Sequence, residues 1–129
     1  MAITKPVGIG FIGAGEVSLL HAKAVNSLPE ARLVGLWNYH EDQGKERARL
    51  YECHLYDSAE ELVNDPAVDA VFVLTNLETH LKYAKLAMDQ GKHVLVEKPL
   101  AATVADVEEM KAIAERHHDS GHKSMNFVS

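Results

Sequence analysis

The six residues Gly13-Ala14-Gly15-Glu16-Val17-Ser18 limit what this chain can fold into more than any others. They follow the apolar run Val7-Gly8-Ile9-Gly10-Phe11-Ile12 and open a helical pattern at Val17, Leu20, Ala24 and Leu28. A buried strand, a tight glycine turn and a helix start are the parts of a dinucleotide-binding βαβ unit. Gly13 permits the sharp turn, and Gly15 has no Cβ, so a pyrophosphate can approach the backbone. The free N–H groups at Glu16 and Val17, and the positive end of the helix, then face the phosphates. Where a third glycine would let helix and strand pack closely, this chain has Ser18, which is small enough to keep that packing in weakened form. Glycine-rich turns also end strands for structural reasons alone, so the rest of the chain has to supply the context.

That context is a regular alternation of strand and helix signals. Val7 to Ile12 reads as strand one, and Glu16 to Leu28 as a helix that Pro29 stops. Ala31 to Asn38 reads as strand two, and the polar stretch Glu41 to Tyr51 as a surface helix. His54-Leu55-Tyr56 is a short third strand, and Ser58-Ala59-Glu60-Glu61 is a capping box that starts a short helix. Asp69 to Thr75 is a near-continuous apolar strand, as a parallel sheet covered on both faces requires. Leu77, Leu81, Ala84 and Met88 mark one face of a helix, with Gly91 placed to end it. His93 to Glu97 is strand five. Thr103 begins a helix whose buried stripe is Val107, Met110 and Ala114. Lys123 to Val128 is read as a sixth strand.

Short loops and right-handed crossovers turn this order into an α/β fold, a doubly wound parallel sheet of about six strands. Ligands of such sheets bind at the carboxyl ends of the strands, near the switch point between the first and fourth. Gly13 and Gly15 follow strand one, Asn38 ends strand two, Thr75 and Asn76 end strand four, and Glu97 and Lys98 end strand five. Their convergence on one crevice is a stronger signal than any single motif.

Composition narrows the partners. The chain has 129 residues, 47% of them apolar, which suits one domain with a core of its own. Its net charge is −6 with histidine neutral. No stripe of Lys or Arg interrupts it, so no nucleic acid and no anionic membrane is expected as a partner. The single cysteine, Cys53, fits a reducing, cytoplasmic location and is read as a half-buried structural thiol. The N-terminal apolar run is too short for a signal segment or a membrane span.

Gly91-Lys92-His93-Val94-Leu95-Val96-Glu97-Lys98-Pro99-Leu100 resembles the Glu-Lys-Pro signature of the glucose–fructose oxidoreductase / inositol dehydrogenase / rhizopine catabolism family (Gfo/Idh/MocA). His21-Ala22 after the glycine turn, and Thr75-Asn76-Leu77-Glu78-Thr79-His80, are similar to other segments of that family. The resemblance covers the whole chain. It implies an NAD(P)-dependent oxidoreductase acting on a sugar, cyclitol or related polyol by hydride transfer. It also implies that residues 1–129 are the nucleotide-binding domain, with the larger substrate domain and its catalytic histidine absent. Lys98 matches the signature lysine, which sits near the nicotinamide and contacts the reacting oxygen of the substrate. Glu97 matches a glutamate beside the nicotinamide ribose. Thr75, Asn76 and His80 match a segment that lines the cofactor.

The chain departs from its relatives at Asn38, where many carry an acidic residue that accepts hydrogen bonds from the adenine ribose. Asparagine can still bond a ribose hydroxyl but does not repel a 2′-phosphate, so NAD and NADP both stay open, and Tyr39 and His40 add no arginine clamp. Asn38 can equally serve only to end its strand, and His80 can equally be a surface histidine. His117, His118 and His122 lie where a helix C-terminus favours positive side chains, and no metal is expected there. The expected behaviour is cofactor binding with little turnover by the chain alone, and self-association through any face that the second domain would cover. The competing expectation is a complete, non-catalytic dinucleotide sensor or docking module.

Overall fold

A computed structural model describes residues 5–97 and 103–119. The elements run β1 (Val7–Ile12), α1 (Val17–Asn26), β2 (Ala31–Trp37), α2 (Glu41–Tyr51), β3 (His54–Leu55), α3 (Ala59–Asn64), β4 (Ala70–Val73), α4 (His80–Asp89), β5 (His93–Val96) and α5 (Val104–Asp119). All strand pairs are parallel, and the sheet order is β3-β2-β1-β4-β5. This is the doubly wound Rossmann-type α/β architecture expected, with five strands among the described residues. The proposed strand at Lys123 to Val128 lies outside them.

The apolar residues divide between the two faces of the sheet. Phe11, Leu33 and Leu36 pack with Ala22, Val25 and Ala48, so α1 and α2 cover one face. Ile12, Val71, Val73 and Val96 pack with Leu62, Ala84, Met88, Met110 and Ile113, so α3, α4 and α5 cover the other. Burial on both faces is why β1 and β4 read as unbroken apolar runs instead of alternating ones. Two glycines of β1 admit the crossover from β3 to β4. A Cβ on Gly8 would lie 1.9 Å from the Ala67 carbonyl oxygen, and one on Gly10 would lie 2.8 Å from the Leu62 side chain.

Local signals set most boundaries. Ser58 Oγ accepts from the Glu61 amide at 3.0 Å, while Glu61 Oε1 accepts from the Asp57 amide at 3.1 Å, one residue earlier than a standard capping box. Gly91, at φ +74°, follows the C-cap of α4, and Thr103 Oγ1 accepts from the Asp106 amide at 3.1 Å to cap α5. The α1 stripe needs correction. Leu20 is 71% exposed and Leu28 53%, and the buried residues are Ser18, Ala22 and Val25. With half-buried His21 these keep helical spacing, but two of the four are polar, so a search for apolar residues lands on the wrong face. Both polar groups find partners on other elements, Ser18 at Tyr51 and His21 at Glu97.

Candidate functional site

β1 ends and turns at Gly13, whose φ of +103° lies where side chains are disfavoured. A Cβ there would also lie 2.7 Å from the Leu74 carbonyl carbon. Gly13 therefore answers to the turn and to the backbone leaving β4, while its amide donates to the Trp37 carbonyl at 2.8 Å. Gly15 is different. Apart from its two chain neighbours, a Cβ on it would meet nothing within 4 Å among the described residues, so the space beside its backbone is open. The amides of Gly15, Glu16 and Val17 take no acceptor among the described residues. They form the donor-rich first turn that suits an anion.

The turn is braced from three sides. Asn38 Oδ1 accepts from the Ala14 amide at 2.9 Å, and Asn38 Nδ2 donates to the His40 carbonyl at 2.9 Å and to Gln43 Oε1 at 3.2 Å. Arg47 Nε donates to the Ala14 carbonyl at 3.1 Å. Ser18, fully buried, donates through Oγ to the Gly15 carbonyl at 2.6 Å and lies 2.7 Å from the Tyr51 hydroxyl. Serine at the third-glycine position thus does more than stay small: its hydroxyl ties α1 to α2. Gln43, Arg47 and Tyr51 follow one another at helical spacing, so α2 turns a working face toward the turn and is not simply a solvated helix. The small, buried Gly44 and Ala48 beside them are the signal in the sequence that marks this inward side.

Between the ends of β1, β2 and β4 lies an open cleft of about 400 Å³. Gly13, Ala14 and Gly15 form its floor, Asn38 to His40 and Gln43 one wall, and Leu74 to Asn76 with Thr79, Lys82 and Tyr83 the other. Gly13, Gly15, Asn38, Thr75 and Asn76, all expected at a cofactor site, come together here. Glu16 stands exposed at the start of α1, and Val17 packs partly into the core beside it. His80 is buried behind the cleft, its Nε2 3.1 Å from the Thr75 carbonyl, so it supports the β4–α4 loop and is not a surface histidine. Tyr39, Gln43, Lys82 and Tyr83 complete the walls. They are polar or aromatic residues on ordinary helix and loop positions, with no motif to single out Gln43, Lys82 or Tyr83.

Glu97, just past β5, is not among the residues that line this cleft. Its Oε1 is 2.6 Å from His21 Nε2, and the His21 ring stands edge-on to Phe72 with centroids 5.5 Å apart. The pair joins α1 to the end of β5 across β1 and β4. Lys98 and Pro99 lie outside the described residues, as do the side chains of His117, His118 and His122. Among the described residues no helix is long and apolar enough to cross a membrane, and no group of three or more His, Cys, Asp or Glu could hold a metal ion.

The Cys53 thiol is half-buried, and burial pushes its pKa up to about 11. The thiolate is the reactive form, and a group with raised pKa is protonated at neutral pH. Alkylation by iodoacetamide at pH 8 is therefore expected to run about a hundredfold slower than for an exposed cysteine peptide. The rate should keep climbing past pH 10; a plateau near pH 9 would contradict the buried environment.

A parallel sheet with this strand order, a glycine turn at the switch point and open amides at the following helix define a dinucleotide-binding α/β domain. The chain belongs to the Gfo/Idh/MocA oxidoreductase family, and residues 7–122 match its NAD-binding Rossmann-fold domain. It is 35% identical over 103 residues to the myo-inositol 2-dehydrogenase of Thermotoga maritima, covering 79% of this chain and 31% of that protein. It is 31% identical to the glucose-6-phosphate 3-dehydrogenase of Bacillus subtilis, covering 84% of this chain and 30% of that one. The crystal structure of Synechocystis biliverdin reductase, in complex with biliverdin and NADP+, superposes with a TM-score of 0.87 at 27% identity, over 97% of this chain and 38% of the other. The chain spans about a third of the length of the curated relatives it matches.

Proposed function

We propose that this chain holds the nicotinamide dinucleotide of an oxidoreductase that acts on a sugar, cyclitol or related polyol. The observation that carries the reading is the open space at Gly15 beside the amides of Glu16 and Val17, at the start of α1. A cradle that a Cβ would fill fits a pyrophosphate, whose charge the helix N-terminus favours. Gly13, Gly15, Glu16 and Val17 would hold the diphosphate, Asn38 would face the adenine ribose, and Thr75 and Asn76 would line the route to the nicotinamide. His80 would act from behind, by fixing Thr75.

A bound nicotinamide would supply the hydride-accepting ring. The chain's own contribution to the chemistry is assigned to Lys98, one residue beyond Glu97. An ammonium there would lower the pKa of the reacting hydroxyl and orient it, and Pro99 would restrict the backbone that follows. Glu97, tethered by His21, would stand beside the nicotinamide ribose. The acid–base partner and the pocket that selects the polyol are assigned to protein beyond these residues, because the chain corresponds to about a third of its relatives' length. Little turnover is therefore expected from the 129 residues alone. The lone Cys53 and the lack of a basic stripe support a cytoplasmic protein that binds neither nucleic acid nor membranes. Exposed Leu19, Leu20 and Leu28 on and after α1 support self-association or a covering partner at that face.

Titrating the purified chain into NADH and into NADPH, with nicotinamide fluorescence as the readout, tests the proposal. A saturable change with at least one of them is expected. No response to either up to millimolar concentrations would end the dinucleotide reading.

A further inference from the structure

The two nicotinamide dinucleotides differ by one phosphate, on the 2′-oxygen of the adenine ribose, and the wall of the cleft after β2 is where such domains tell them apart. This inference rests on the dinucleotide reading above and asks which of the two the wall fits. Preference for the free ribose needs acceptors for its hydroxyls, best supplied by a carboxylate. Preference for the phosphate needs N–H donors and positive charge, with no carboxylate facing it.

Asn38 occupies the deciding position, and its hydrogen bonds limit what it can offer. Its Oδ1 already accepts from the Ala14 amide at 2.9 Å. Its two Nδ2 hydrogens go to the His40 carbonyl at 2.9 Å and to Gln43 Oε1 at 3.2 Å. One lone pair is left, too little to take both hydroxyls of a ribose diol. The same bond orients Gln43. With Oε1 turned to Asn38, the polar group that Gln43 presents elsewhere is its NH2, which only donates.

Charge around the cleft points the same way. Among the described residues that line it, none carries a carboxylate, while the lysine Lys82 does line it. Lys82 Nζ lies 5.3 Å from the centroid of the Tyr83 ring on the same wall. The acids nearest in sequence, Glu41 and Asp42, occupy the first turn of α2 and do not line the cleft. Glu41 is paired with Lys45 at 3.1 Å. At the wall after β2 a diol would meet the Gln43 donors and a single Asn38 lone pair, whereas a phosphate would meet those donors and, across the cleft, the charge of Lys82.

We propose that this cleft takes the 2′-phosphorylated dinucleotide, NADP(H), in preference to NAD(H). Asn38 withholds the acceptors that a free ribose needs, Gln43 supplies N–H donors, and Lys82 supplies positive charge. The full chain is titrated with NADPH and with NADH, and separately by calorimetry with 2′-phospho-ADP-ribose and ADP-ribose, which lack the nicotinamide. In both pairs the phosphorylated ligand is expected to bind at least about tenfold more tightly at low salt, with the ratio narrowing as salt rises. Asn38→Asp is expected to move the ratio about tenfold or more toward NADH. Because that change also removes two donors from the turn, Lys82→Gln serves as a second variant. It sits on the exposed side of α4 and is expected to weaken NADPH severalfold more than NADH. Equal affinities, or tighter NADH, would overturn the inference and leave the dinucleotide reading intact. No binding of either would overturn both. Folded variants that leave the ratio untouched would overturn the roles of Asn38 and Lys82.

Discussion

Replacing Gly15 with valine is expected to leave the domain folded and to weaken dinucleotide binding by about 10- to 100-fold. The two halves of this expectation have separate causes. Apart from its two chain neighbours, no atom of the described residues comes within 4 Å of where the new Cβ would stand, and Gly15 does not have the positive φ of Gly13, so the folded state has room for a side chain. The unfolding free energy read from urea denaturation should change by no more than about 0.5 kcal/mol, as for surface positions in general. The same room is what the proposed function assigns to the diphosphate, and branched carbons would push the ligand away from the amides. Gly15→Ala should show the same pattern in smaller measure. Binding that survives both changes would place the phosphates elsewhere.

Gly13→Ala should do the reverse, striking the fold before the ligand. A left-handed φ costs an alanine about 1–2 kcal/mol, and crowding in a packed site adds about 1–3 kcal/mol. Here the crowding is against backbone: the Leu74 carbonyl carbon and oxygen would lie 2.7 and 2.8 Å from the added carbon. A loss of about 2–5 kcal/mol is a large part of the stability of a domain this size. Urea denaturation followed by circular dichroism reads it directly. A midpoint within error of the parent would mean that β1 and β4 do not converge at Gly13 as described. Together the two glycines separate a position the fold has closed from one it has left open.

The elements that the sequence made legible are those with local causes. Gly91, Ser58 and Thr103 announce helix ends because caps act within a few residues. The unbroken runs at Val7 to Ile12 and Asp69 to Thr75 announce a doubly covered sheet because both faces must be apolar. The α1 face was misread because its buried side is held partly by Ser18 and His21, whose partners, Tyr51 and Glu97, lie far along the chain. The clefts's glycine floor was legible for the same local reason as the caps. Its walls were less so: Gln43, Lys82 and Tyr83 carry no pattern, and only the sheet order brings α2 and α4 to the same opening. Arg47 and Tyr51 were hidden by the assumption that a highly charged helix is a solvated one. The close approaches at Gly8 and Gly10 depend on where the β3–β4 crossover passes, which no local signal records.

The strand order also governs how such a chain comes together. β1 lies at the centre, with Val7 opposite Ala31 on one side but Ile9 opposite Ala70 on the other. During synthesis, then, the early half can zip three strands and still leave a bare central edge, and that edge waits until the stretch around Ala70 leaves the ribosome. Loop closure over that span is slow compared with local pairing, and the waiting edge is open to a wrong neighbour. Since the opening that would receive a nucleotide is made from both halves, a nucleotide in the medium can reward only the joined state, adding stability by mass action once the late half has docked.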